Sequence, residues 1–85
     1  MKVYVVSVSS NVYGSWDFDL KVFANYKDAK LEFDEEVKRS KRYAGEDWVE
    51  DVSDDVYATY VDGEYDANHI DVLILEKEVL KNERL

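Results

Sequence analysis

The chain has 85 residues, a formal net charge of −9, one histidine, no proline and no cysteine. The absence of cysteine excludes disulfides, thiolate metal sites and cysteine nucleophiles, and it fits a reducing cytoplasm. The charge sets the protein against anionic membranes and nucleic-acid backbones, so its natural partner is a basic protein surface and not nucleic acid itself.

A single domain over residues 1–85 is expected, and a chain this short buries only about 60–65% of its unfolded surface. Hydrophobic residues make up 46% and aromatics 14%, which is the composition of a folded chain. No apolar run reaches the roughly 20 residues that span a bilayer. None follows a basic N-terminal segment either, so no signal peptide is expected and the expected location is cytoplasmic.

Lys2 to Ser9 reads as a strand, because Val3, Tyr4, Val5, Val6 and Val8 are β-branched or aromatic. Apolar side chains fall on both of its faces, which marks a central strand. A turn-rich connection follows, with Asn11 and Gly14 at the positions expected to need special dihedrals. Trp16 to Phe23 alternates: Trp16, Phe18, Leu20 and Val22 face one way, Asp17, Asp19 and Lys21 the other. That pattern predicts a half-buried strand hairpinned to the first.

Asn25 is a good N-cap and Asp28 follows three residues later, a capping-box pattern with Asp in place of Glu. The spacing predicts a helix from about Tyr26 to Tyr43, with Tyr26, Ala29, Phe33, Val37, Ser40 and Ala44 inward. Asp34–Lys38 and Glu35–Arg39 are expected i, i+4 pairs, and Gly45 is placed to end the helix. Leu31 lies about 140° from Tyr26 and should be exposed.

Residues 46–55 hold six carboxylates and no base. Wound as a helix, they would set Glu46, Glu50 and Asp54 in one row and Asp47, Asp51 and Asp55 in the next. Trp48, Val49, Val52 and Val56 would gather opposite. Successive acids in a row would rise by roughly 6 Å, close to the phosphate repeat of a nucleic-acid strand. Against this, like charges at i, i+4 weaken a helix, and Asp and Val are mediocre helix formers. A loop therefore stands beside the helix as the reading of 46–55.

Val56 to Val61 reads as a strand. Asp62-Gly63 is a tight-hairpin signal, with a wider turn from Asp62 to Asn68 as the alternative. A last strand, from about His69 to Val79, has Ile70, Val72 and Ile74 on one face and Leu73 and Leu75 on the other; it too should be central. The expected fold is α+β: a four-stranded, mostly antiparallel sheet in the order β-β-α-β-β, with one main helix on one face. The opposite face of the central strands, with Val3 and Val5 or their alternates together with Leu73 and Leu75, would then need another cover. Trp48 and Val52 of a short acidic helix could supply it, or a second copy of the chain.

Catalytic chemistry is poorly supplied. Asp62, Glu64, Asp66 and Asn68 imitate a calcium loop, but that loop needs Gly at its sixth position and Glu at its twelfth, where this chain has Ala67 and Leu73. His69 and Asp71 fit a charge-assisted pair on one strand face. No serine has the glycine context of a nucleophile elbow, and no glycine-rich loop could hold phosphate. Tyrosines 4, 13, 57, 60 and 65 lack the basic groove that a single-strand platform needs. No catalytic residue, metal or cofactor is expected.

The join of Val22, Phe23, Ala24, Asn25, Tyr26, Lys27, Asp28 and Ala29 resembles a strand-to-helix pattern of small phage and mobile-element proteins. The overall format, acidic, cysteine-free and under a hundred residues, is similar to that of phage-encoded inhibitors of host defence of the anti-CRISPR and anti-restriction type. The resemblance implies a non-enzymatic inhibitor with a DNA-mimic surface, directed at a basic nucleic-acid-binding protein such as a host nuclease. On this chain the acids would be Glu46, Asp47, Glu50, Asp51, Asp54 and Asp55, extended by Asp62, Glu64 and Asp66, with Trp48 and Tyr65 as apolar anchors. The alternative is a small homodimeric interaction module without an inhibitory role.

Overall fold

A computed structural model describes residues 1–53, 56–65 and 67–79. The chain folds as β1 (Lys2–Val12), β2 (Ser15–Phe23), α1 (Tyr26–Tyr43), β3 (Trp48–Ser53), β4 (Tyr57–Asp62) and β5 (His69–Glu78). The strands form one five-stranded sheet in the order β2-β1-β5-β4-β3, and all neighbours are antiparallel. The α+β class is as expected, and β1 and β5 occupy the interior positions that their two-sided apolar patterns require.

The sheet has five strands, not four. The extra one is β3, cut from the acidic stretch, so residues 48–53 are neither the short helix nor the loop expected of them. The reason lies in the side chains. Trp48, Val49 and Val52 suit a pleated strand, and alternation sends Glu50 and Asp51 to opposite faces instead of stacking like charges. Backbone bonds fix the segment at its start, from Trp48 N–H to the Gly45 carbonyl (3.1 Å) and from Gly63 N–H to the Asp47 carbonyl (2.9 Å).

The helix begins as the sequence predicts. Asn25 accepts a hydrogen bond from the Asp28 N–H at 2.9 Å, and its amide donates to the Asp28 carboxylate at 3.0 Å. It ends at Tyr43, as expected, with Ala44 in extended conformation capping it through a bond from its N–H to the Ser40 carbonyl; Gly45, the next residue, does not take the positive φ of a glycine stop. Charge pairing also differs from expectation, because Lys30–Asp34 (2.9 Å), Lys38–Glu35 (3.6 Å) and Arg39–Glu36 form instead. Leu31 points outward, as expected.

The core lies between α1 and one face of the sheet. Ala29 and Phe33 from the helix meet Val6, Ala58, Tyr60, Ile70, Val72 and Ile74, with Val8, Val37, Trp48 and Val52 packed around them. Tyr26 lies at the margin, edge-on to Tyr4 with ring centroids 5.6 Å apart. Glu36 and Ser40 share the buried helical stripe with Ala29 and Phe33, at the i, i+4, i+7 and i+11 positions of one face.

Both hairpin ends are built on polar side chains. Tyr13 (φ 51°) and Gly14 (φ 80°) turn β1 into β2; positive φ at both positions matches the right-handed strand twist. The special residue before Gly14 is thus Tyr13 and not Asn11. Between β4 and β5 the wider turn wins. Asp62 accepts from the Glu64 N–H (2.9 Å) and the Asn68 amide (3.1 Å), while the buried Asn68 accepts from the Tyr13 N–H (2.8 Å). Asn68 therefore ties the two turns together.

Candidate interaction site on the open sheet face

Strand alternation and register decide what the second face of the sheet presents. One transverse row reads Leu20, Ser7, Leu73, Tyr57 and Ser53, from β2 across to β3. The next reads Phe18, Ser9, Asp71, Thr59 and Asp51, and a third reads Trp16, Asn11, His69, Val61 and Val49. At the other end Val22 stands beside Val5 and Leu75, and Val3 beside Lys77. No described element packs on this face, since the strands' helix contacts lie on the other side.

The consequence is greatest on β2. Trp16, Phe18, Leu20 and Val22 are 71%, 64%, 48% and 57% exposed. The half-buried strand expected from their alternation is thus exposed along its apolar side. Its polar residues Asp17, Asp19 and Lys21 lie on the helix side, where α1 reaches over only part of the strand. Lys21 crosses to Glu32 of the helix at 2.9 Å. That contact holds the Glu32 carboxyl below its usual range and raises the lysine.

Val3, Val5, Leu73 and Leu75 lie on the open face, which settles the choice the sequence left between Val3 and Val5 and their alternates on β1. Trp48 and Val52 do not cover them; both turn to the helix side, and Trp48 meets Tyr43 edge-on with centroids 6.2 Å apart. In a chain that is 36% charged, the charged residues at open-face strand positions are Asp51, Asp71 and Lys77. His69 Nδ1 lies 2.9 Å from the Asp71 carboxylate, as the spacing predicted, and Trp16 stands edge-on to the His69 ring at 5.9 Å. The face is therefore apolar along β2 and at the Val22, Val5 and Leu75 end, with a polar strip of Ser7, Ser9 and Asn11 along β1 and a polar row of Ser9, Asp71, Thr59 and Asp51 across the other strands.

The remaining sequence-predicted site residues do not converge. Glu46 and Asp47 are exposed ahead of β3. Glu50 faces the helix side at the sheet edge, whereas Asp51 faces the open side, 3.4 Å from the Tyr57 hydroxyl. Asp62 is buried in the β4–β5 turn, where the Glu64 N–H and then the Asn68 amide hold its carboxyl below the ordinary range. Glu64 and Tyr65 are exposed on that turn. Asp54, Asp55 and Asp66 lie outside the described residues. The regular 6 Å row of acids imagined for a helix is replaced by alternation along an edge strand.

A groove of about 490 Å³ opens between the C-terminal half of α1 and the first hairpin, walled by Val8, Ser10, Asp17, Glu36, Arg39, Ser40 and Tyr43. Burial pushes the Glu36 carboxyl up, and a hydrogen bond with Glu32 adds to this against the pull of Arg39. Sequence reasoning missed Glu36, although its place on the stripe of Ala29, Phe33 and Ser40 marked it as inward. Among the described residues no cluster of His, Asp and Glu is arranged to hold a metal ion, and no helix is long and apolar enough to cross a membrane. No family model, curated protein or solved structure matches the chain.

Proposed function

We propose that the protein is a non-enzymatic association module that binds protein through the open face of its sheet. The observation that carries this reading is the exposed row Trp16, Phe18, Leu20 and Val22 on β2. Monomeric proteins seldom expose contiguous apolar patches beyond a few hundred Å², and larger ones mark interaction sites. Aromatic residues supply anchor energy at such surfaces.

A second reading keeps the inhibitor expectation: a basic nucleic-acid-binding protein docks on the acidic edge. It is favoured by the exposure of Glu46, Asp47, Glu50 and Glu64, none of which is in an ion pair with a described residue. The two readings separate on salt. Apolar docking persists from 0.05 to 0.5 M NaCl, whereas docking on acids is screened and weakens. The test compares association by the wild type, Leu20→Lys, and the double variant Glu46→Lys, Glu50→Lys across that range. Association lost only in Leu20→Lys, at all salts, is the expected result. Loss only in the acid variant, with marked weakening by salt in the wild type, would reverse the choice.

A further inference from the structure

We infer that the open face is covered by a second copy of this chain, forming a face-to-face dimer with the two helices outside. The inference rests on reading that face as a protein-binding surface, and it names the occupant. Size is the first argument. Strands of six to eleven residues, rising about 3.3 Å per residue and lying about 4.8 Å apart, give a projected face of roughly 650 Å². With side-chain relief this approaches the ~800 Å² per partner of a standard stable interface. The whole face is needed to reach that area, and a second sheet of the same outline covers the whole of it.

Charge is the second argument. Each copy carries −9, so two copies can meet closely only where the surface is nearly uncharged. The open face is that surface: its strand positions carry Asp51, Asp71 and Lys77, and Asp71 is already engaged by His69 at 2.9 Å. A basic partner chosen to complement the chain's charge would find little to pair with here. A two-fold contact sets the same patch on both copies, so it brings the exposed apolar row of β2 into the contact from both sides.

Shape is the third argument. Sheets pack on sheets at about 10 Å with interdigitated side chains. The Cα framework is only 15 Å thick, one helix layer on one sheet layer, and among the described residues nothing covers the sheet's second face. The dimer would be a four-layer α/β/β/α stack with both apolar faces inside.

The experiment is sedimentation equilibrium of the full chain from 1 to 200 μM, at 0.15 and 0.5 M NaCl. The wild type is expected at about twice its 10.0 kDa chain mass at both salts. Phe18→Lys is expected to dissociate at least about a hundredfold more readily, because it buries an unpaired charge in each copy. Its far-UV circular dichroism should match the wild type, since Phe18 is exposed in the single chain; Leu20→Lys is the second variant should Phe18→Lys misfold. A monomeric wild type at 200 μM overturns the inference, as does a dimer unchanged in both lysine variants. A monomer whose open face still binds the apolar dye ANS, and binds less in Phe18→Lys, leaves the association reading standing with a different protein as occupant. A monomer that binds no dye removes both.

Discussion

Tyr60 offers a demanding test of the core. It lies in β4 under the helix, 1% exposed, and its hydroxyl is buried with no hydrogen-bond partner among the described residues. Burial pushes its phenol up, with the nearby Glu50 charge adding to the effect. Leaving a buried hydroxyl unpaired costs about 1–3 kcal/mol. Phenylalanine keeps the ring and removes that cost, so Tyr60→Phe should stabilise the protein by about 1 kcal/mol or more. In a domain of this length each kcal/mol moves the melting temperature by roughly 4–8 °C. Thermal unfolding followed by circular dichroism, with both proteins at one concentration, measures the shift. A melting temperature equal to or below the wild type would refute the reasoning, because it would mean that the hydroxyl is satisfied in the folded protein.

Asn68→Ala removes the amide that bridges the two hairpin ends and leaves the Tyr13 N–H and the Asp62 carboxylate short of partners. A loss of about 2–4 kcal/mol is expected, read by urea unfolding. The same variant has a pH signature. The Asp62 carboxyl is held below its ordinary 3.8, so its contribution is present above that pH and is lost as the pH falls through the depressed folded value. Without Asn68 that acid-side loss should be shallower. Gly63→Ala would drive a Cβ into the Asp47 carbonyl, whose bond to the Gly63 N–H closes β3 on β4. Hydrogen exchange should show faster amides in β3, with β1 and β5 unchanged; uniform protection would contradict this account of the edge.

The elements with strong local signals were readable from sequence. The helix from Tyr26 to Tyr43 follows from its cap and stripe, β1 and β5 follow from runs rich in β-branched residues, and β2 follows from its alternation. The acidic segment was not readable, because its pattern fits two periods: Trp48 and Val52 gather on one side at helical spacing and also at strand spacing of every second residue. The free edge of β4 decides between them, and a partner strand is a tertiary fact. Asp62 failed as a surface acid for a related reason: its burial depends on Asn68, six residues on, and on the Tyr13 turn beyond. The Asp62-Gly63 pair signalled a tight hairpin, but the hydrogen bonds of Asp62 and Asn68 hold the chain in a wider one.

The row on β2 exposes a deeper limit of periodicity. Alternation of Trp16, Phe18, Leu20 and Val22 with Asp17, Asp19 and Lys21 states that one side of the strand is built for contact with apolar surface. It does not state which chain supplies that surface. One 18-residue helix covers one face of a five-stranded sheet, so the contact side of β2 has no cover within the described residues. The strand's charges could have kept that side apart from other molecules, but they are placed on the helix side, where Lys21 binds Glu32. An exposed edge strand with an apolar side is a liability for uncontrolled association. Placing the charges away from that side makes sense if association there is specific, and a single lysine at Phe18 is enough to test it.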